Sequence, residues 1–206
     1  MTPARLIHFT SALRRTTRFG AAAAFCALTL AACDSGSGGG SSDGAGRAAG
    51  SDGITAVAKA DRAAAPRLSG KTLRGSALDV RSAYRGKVVV LNVWSSWCGP
   101  CRGEAGNLAK VSRQLRSRDV QFVGINTGDP STGPARAFER NRGVPYPSLY
   151  DPAGRLLLRF PRGSVNPQAI PSTVVVDRAG RIAARSSGGV SVEQLHAMID
   201  PLTAEK

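Results

Sequence analysis

Residues 87–94, KVVVLNVW, form a nearly unbroken β-branched and apolar run, and only three residues separate it from Cys98-Gly99-Pro100-Cys101. A run of this kind with so few polar positions reads as a strand buried on both faces, as in the centre of an α/β sheet. Beyond it Leu108, Val111 and Leu115 recur at helical spacing, so Cys98 falls at a helix N-terminus. Unpaired N–H groups and the helix dipole there favour negative charge. The thiolate is the reactive form of cysteine, so Cys98 is placed as a nucleophile. Cys101, one turn further in, is placed to resolve a mixed disulfide by thiol–disulfide exchange and is expected to be the more buried of the two. Pro100 is tolerated because the first helical turn needs no amide donor.

The other two cysteines stand apart from this pair. Residues 1–18 carry Arg5, Arg14, Arg15 and Arg18 and no acid, and residues 19–32 are apolar or small except for Thr29. Fourteen residues suit a signal core and fall short of the roughly 20 that a spanning helix needs. Cys26 lies inside this core, and Leu30-Ala31-Ala32-Cys33 closes it. The tetrad resembles the lipobox of bacterial lipoproteins, which makes Cys33 the expected lipidation site; the other reading is an ordinary signal with a chance cysteine. Residues after Arg14-Arg15 do not complete a twin-arginine pattern, so the general secretion route is expected.

Residues 34–53 are mostly Gly, Ser, Ala and Asp and cannot bury enough apolar surface to fold. A tether of this kind spans about 25 Å. The expected organisation is a signal peptide over 1–32, a lipid-anchored linker over 33–63 and one domain over 64–206, with 54–63 a transition of no evident structure. Loss of 1–32 removes four arginines and no acid, so the formal charge of +14 falls to +10. The remaining arginines are scattered without aromatic interleaving, which argues against a nucleic-acid surface.

Within the domain, residues 68–73 read as a small hairpin turning at Ser69-Gly70, and 78–84 as one short helix. Residues 120–126 read as a second buried strand, 133–141 as a helix and 148–150 as a short strand. A short helix over 152–158, a strand over 172–177 and an antiparallel return over 181–185 follow. Ser191 caps a last helix that carries Val192, Leu195 and Ile199 on one face. This order implies an α/β domain with a mixed sheet.

Trp97-Cys98-Gly99-Pro100-Cys101 resembles the active-site motif of the thioredoxin superfamily. The longer run from Gly86 to Arg102, together with Ile170-Pro171-Ser172-Thr173 and Gly180-Arg181-Ile182, resembles the TlpA/ResA group of exported, tethered thioredoxin-like proteins. The resemblance covers residues 66–202. It implies a thioredoxin-like fold: a mixed central sheet flanked by helices, with an N-terminal β-hairpin and a central insertion over 127–168. It also implies that Pro171 is cis and beside the sulfurs, against a trans proline opening an edge strand. Ile170 would present its backbone to a substrate strand, and Trp97, Gly99 and Pro100 would line an apolar surface around the thiol.

No cofactor beyond the redox-active Cys98–Cys101 disulfide is implied, and no metal. The implied partners are protein disulfides, apocytochrome c among them, and a membrane thiol-transfer protein of the CcdA/DsbD type that supplies electrons. The Gly-Pro pair resembles thioredoxin, at about −270 mV, rather than the oxidant DsbA near −120 mV, and so favours a reductant over an oxidase.

Asn92 stands where thioredoxin has a buried Asp and cannot take a proton. Glu104, one turn past Cys101, is then a candidate proton acceptor for it; the other reading is a solvated helix glutamate. Gly106 occupies the place of a helix-kinking proline. Trp94 is expected in the core. Two other classes fit less well. A peroxiredoxin-type peroxidase would want Pro and Thr ahead of the reactive cysteine, where this chain has Trp94-Ser95-Ser96-Trp97. A metal-binding chaperone would need more ligands than the two cysteines, His196 and Met198, and His196 reads as a surface residue.

Overall fold

The structure, a computed structural model, describes residues 47–49 and 53–205. The proposed signal and Cys33 lie outside these residues. Nine strands and four helices occur among them: β1 (Arg47–Ala49), β2 (Ile54–Val57), β3 (Ser69–Lys71), β4 (Ala77–Asp79), α1 (Val80–Ala83), β5 (Val88–Trp94), α2 (Gly99–Gln114), β6 (Val120–Thr127), α3 (Thr132–Arg142), β7 (Ser148–Asp151), β8 (Ser172–Val176), β9 (Ile182–Ser187) and α4 (Val192–Ala204). Seven strands form one sheet in the order β1-β2-β9-β8-β5-β6-β7. β5 runs parallel to β6 and β6 to β7, while β8, β9 and β2 join antiparallel. This is the mixed sheet of a thioredoxin-like α/β fold.

All seven residues of β5 are buried, and their alternation sorts them between two layers. Val88 and Val90 pack with Leu108 and Val111 of α2 and with Leu195 and Ile199 of α4. Val89, Leu91 and Val93 face the other way, onto Leu68, Val80, Leu156, Leu157 and Phe160. A third cluster joins Trp94, both cysteines and Phe138 of α3 at the C-terminal end of β5. Trp94 is therefore core, stacked on Phe138 with ring centroids 4.6 Å apart. The last helix starts with a capping box: Ser191 Oγ accepts from Gln194 N–H, and Gln194 Oε1 accepts from Ser191 N–H.

Three local expectations are corrected. The hairpin exists, but Ser69-Gly70 lies within its first strand, and the second strand is β4. The turn is at 72–76, where Gly75 takes the left-handed φ of 90° that a side chain would resist. Residues 78–84 divide between β4 and α1, because the Asp79 carboxylate accepts from Ser82 N–H and starts the helix only there. No helix spans 152–158. Asp151 accepts from the N–H groups of Arg155 and Leu156, Gly154 turns at φ 67°, and only a 3-10 turn at Leu157–Arg159 follows.

The packed unit also begins before residue 64. β2 covers the edge of β9, which would otherwise leave a row of unpaired backbone groups. Arg62 is buried between Asp177 at 3.0 Å and Glu205 at 2.7 Å. The charge pattern of 54–63 carries no local sign of these pairings, since the partners lie more than a hundred residues away.

Gly124 sits mid-strand in β6, between Asn92 of β5 and Ser148 of β7. A methyl there would overlap Ser148 Oγ and stand 2.7 Å from Trp94 Nε1, which itself donates to Ser148 Oγ. Overpacking at such a point costs about 1–3 kcal/mol. Gly124→Ala is expected at the top of that range, read as a lower urea midpoint with an unchanged slope.

Candidate active site

β5 ends at Trp94, and residues 95–97 turn the chain into α2. Cys98 is the N-cap of α2: its sulfur accepts from Cys101 N–H at 3.2 Å. The two cysteines form a disulfide, with their Cα atoms 5.3 Å apart. Cys98 is 4% exposed and Cys101 2%, so the expected contrast in burial is slight. Trp97 is 63% exposed, and Gly99 and Pro100 are exposed beside it. α2 continues through Gly106 without a break.

The Ile170–Pro171 peptide is cis. Although 72 residues from Cys98 in sequence, the Ile170 carbonyl oxygen lies 3.8 Å from Cys98 Sγ. Ile170 also packs against the cluster that holds both cysteines. The residues singled out around the thiols, Trp97, Gly99, Pro100, Ile170 and Pro171, therefore lie together at one end of the sheet.

Glu104 is not solvated. It is 3% exposed, with Oε1 accepting from Asn92 Nδ2 at 2.8 Å and Oε2 from Val190 N–H at 3.0 Å. Burial pushes its carboxyl up to about 7, against the pull of those two donors. Asn92 also donates to Thr173 Oγ1 at 3.3 Å, which links Glu104 to the strand after Pro171. Glu104 follows Cys101 by one helical turn, so both project from one face of α2. Helix spacing gave that neighbourhood, but the desolvation comes from α4's leading loop and β5.

A second network had no signal in the sequence. Asp129, 1% exposed, accepts from Ser96 N–H at 2.9 Å, Ser96 Oγ at 2.6 Å and Asn126 Nδ2 at 2.7 Å. In sequence it reads as a turn residue between Gly128 and Pro130. His196 lies on α4 with Nδ1 3.1 Å from Asp200, half-exposed. A cavity of about 380 Å³ lies at the opposite end of β5, lined by Lys87, Val89 and Leu91 among others, and includes neither sulfur. Among the described residues no group of three or more His, Cys, Asp or Glu could hold a metal ion.

The chain is similar to known proteins. The chain is 35% identical over 120 residues to the thiol:disulfide interchange protein HelX of Rhodobacter capsulatus, covering 58% of this chain and 62% of HelX. It is 26% identical over 121 residues to the thiol-disulfide oxidoreductase ResA of Geobacillus kaustophilus, covering 59% and 66%. The chain thus spans just under two thirds of each relative's length. A secreted thiol-disulfide isomerase from Corynebacterium glutamicum superposes with a TM-score of 0.70 at 30% identity, over 77% of this chain and 96% of that one. Residues 58–199 match the Redoxin family. With the sheet, the Cys98–Cys101 disulfide and the adjoining Ile170–Pro171 peptide in place, the chain belongs to the Redoxin family and is a ResA-like protein of thioredoxin fold.

Proposed function

We propose that this chain is an extracytoplasmic, membrane-anchored thiol–disulfide oxidoreductase that works as a disulfide reductase on exported proteins. The observation that carries the reading is the Cys98–Cys101 pair at the N-terminus of α2, with the Ile170 carbonyl beside the first sulfur. In the reduced enzyme the Cys98 thiolate attacks one sulfur of a substrate disulfide. A mixed disulfide forms and the other substrate sulfur leaves and takes a proton. Cys101, its proton passed to an acceptor such as Glu104, then attacks Cys98 Sγ and releases the second substrate thiol. Two electrons move from the dithiol to the substrate.

Trp97, Gly99 and Pro100 offer an exposed apolar surface to the substrate, and the backbone at Ile170 and Pro171 offers it a partner for pairing. No cofactor other than the disulfide takes part. Return to the dithiol requires electrons from a second thiol protein, for which a membrane protein of the CcdA/DsbD type is the proposed donor. Cytochrome c maturation, with apocytochrome c as substrate, is the proposed setting. The residues 1–32 signal and lipidation at Cys33 would place the enzyme on the outer face of the cell membrane, and the secreted corynebacterial relative supports export. Among the described residues no helix is long and apolar enough to cross a membrane.

Equilibration with glutathione tests the direction. A reductase is expected near the thioredoxin value of about −270 mV, and a potential above about −150 mV would make this an oxidase.

A further inference from the structure

Four hydrogen bonds lay the turn before the reactive cysteine against the loop after β6. Ser95 Oγ donates to the Thr127 carbonyl. Ser96 N–H and Ser96 Oγ both donate to the Asp129 carboxylate, at 2.9 and 2.6 Å. Trp97 Nε1 donates to the Gly128 carbonyl at 3.3 Å. The receiving loop is itself braced: Asn126 Nδ2 donates to Asp129 Oδ2 at 2.7 Å, and Tyr150 Oη donates to the Asp129 carbonyl at 3.1 Å. Gly128 turns at φ 71°, and a Cβ there would stand 3.3 Å from the Trp97 ring, so the two segments are in close contact. Asp129 is 1% exposed and is the only side chain in this seam that holds the turn by more than one bond.

We infer that Asp129 is a positioning residue for the redox pair, acting through Ser96 to hold the turn that presents Cys98 to the first amides of α2. The inference deepens the oxidoreductase reading and rests on it for its biological meaning. Cys98 N–H donates back to the Ser95 carbonyl at 3.3 Å, and Arg102 Nη1 reaches the Ser96 carbonyl at 3.3 Å. The turn is therefore tied to Cys98 on one side and to Asp129 on the other. In the disulfide form Cys98 Sγ lies 3.2 Å from Cys101 N, and a turn held by Asp129 keeps the sulfur at this helix end after reduction, where the end stabilises its thiolate. With the turn released, the sulfur is free to leave that position and the thiolate loses part of its support.

Two effects of removing Asp129 oppose each other, and this makes the inference testable. Loss of a nearby negative charge favours the thiolate, whereas loss of position disfavours it. An asparagine at 129 keeps the position without the charge. Its oxygen can accept from Ser96 N–H and Asn126, while the Ser96 hydroxyl turns to accept from its amide. An alanine keeps neither.

The experiment reduces the full-length chain and follows iodoacetamide alkylation at Cys98 by peptide mass between pH 5 and 9. Asp129→Ala is expected to slow alkylation at neutral pH by about fivefold, the size of one helix-terminus interaction, with a higher midpoint. Asp129→Asn is expected to stay at or above the wild-type rate. The inference is overturned if Asp129→Ala reacts as wild type, or if the Ala and Asn variants move together in either direction. Should Asp129→Ala fail to fold, Ser96→Ala decides: slower alkylation supports the inference, and a wild-type rate overturns it. Iodoacetamide needs no disulfide substrate. A wild-type chain that alkylates as described but reduces no protein disulfide would sink the reductase reading and leave this one standing.

Discussion

Cys98→Ser is expected to abolish insulin reduction, with turnover lower by roughly a thousandfold or more, because an alcohol is not a nucleophile toward sulfur at neutral pH. Cys101→Ser should fail differently. Cys98 still attacks, since its sulfur keeps its place at the helix N-terminus, but nothing resolves the mixed disulfide. The substrate then stays covalently bound. Trapping in membranes and non-reducing electrophoresis should show adducts with Cys101→Ser that vanish in the double mutant, and mass spectrometry of those adducts identifies the partner. Adducts with Cys98→Ser and none with Cys101→Ser would reverse the two assigned roles, and their absence from both variants would remove the exchange mechanism.

Glu104 should give the chain a stability that falls with pH. Its folded-state value of about 7 lies above the ordinary 4.5, with burial as the main cause. Below pH 4.5 the folded and unfolded chains both hold this proton, and stability does not depend on it. Between 4.5 and 7 the folded chain keeps a proton that the unfolded chain has released, so stability declines as pH rises. Above 7 both forms are ionised and the curve levels. A shift of this size corresponds to about 3 kcal/mol across the window. Urea unfolding of the oxidised protein at a series of pH values measures it. Glu104→Gln should flatten that slope, at the expense of one of the two hydrogen bonds from Asn92 and Val190. Parallel curves for the two proteins would show that Glu104 titrates as an ordinary glutamate. In the proposed mechanism, the same variant should slow resolution by Cys101 and remove a midpoint near pH 7 from its rate profile.

Much of the redox site could be read locally. The β-branched run of β5, the three-residue turn and the Cys-Gly-Pro-Cys opening of α2 are contiguous, and their conformations follow from strand burial and helix-end chemistry. The apolar spacing of α2 and α4 was readable for the same reason. Turns were less so: Ser69-Gly70 has the composition of a turn but lies in a strand, because Gly75 offered the better left-handed position. The short helix expected over 152–158 gave way to a carboxylate-capped turn at Asp151. β2 was missed because it has little pattern of its own and is a strand only by pairing with β9.

Glu104 shows where local reading stops. Helical spacing put it beside Cys101, yet the same spacing is compatible with a solvated side chain or a buried acid. Val190, 86 residues on, and Asn92 of the central strand decide between them. Likewise Ile170 reaches Cys98 across 72 residues and Asp129 reaches Ser96 across 33. The sequence by itself determined which atoms are nucleophilic and which element they start, because a helix end acts on residues within one turn. Only the tertiary structure decided which carboxyl loses its water, which carbonyl faces the sulfur and what holds the turn in place. Desolvation and long-range hydrogen bonds depend on the chain that packs over a site, and that chain is remote in sequence.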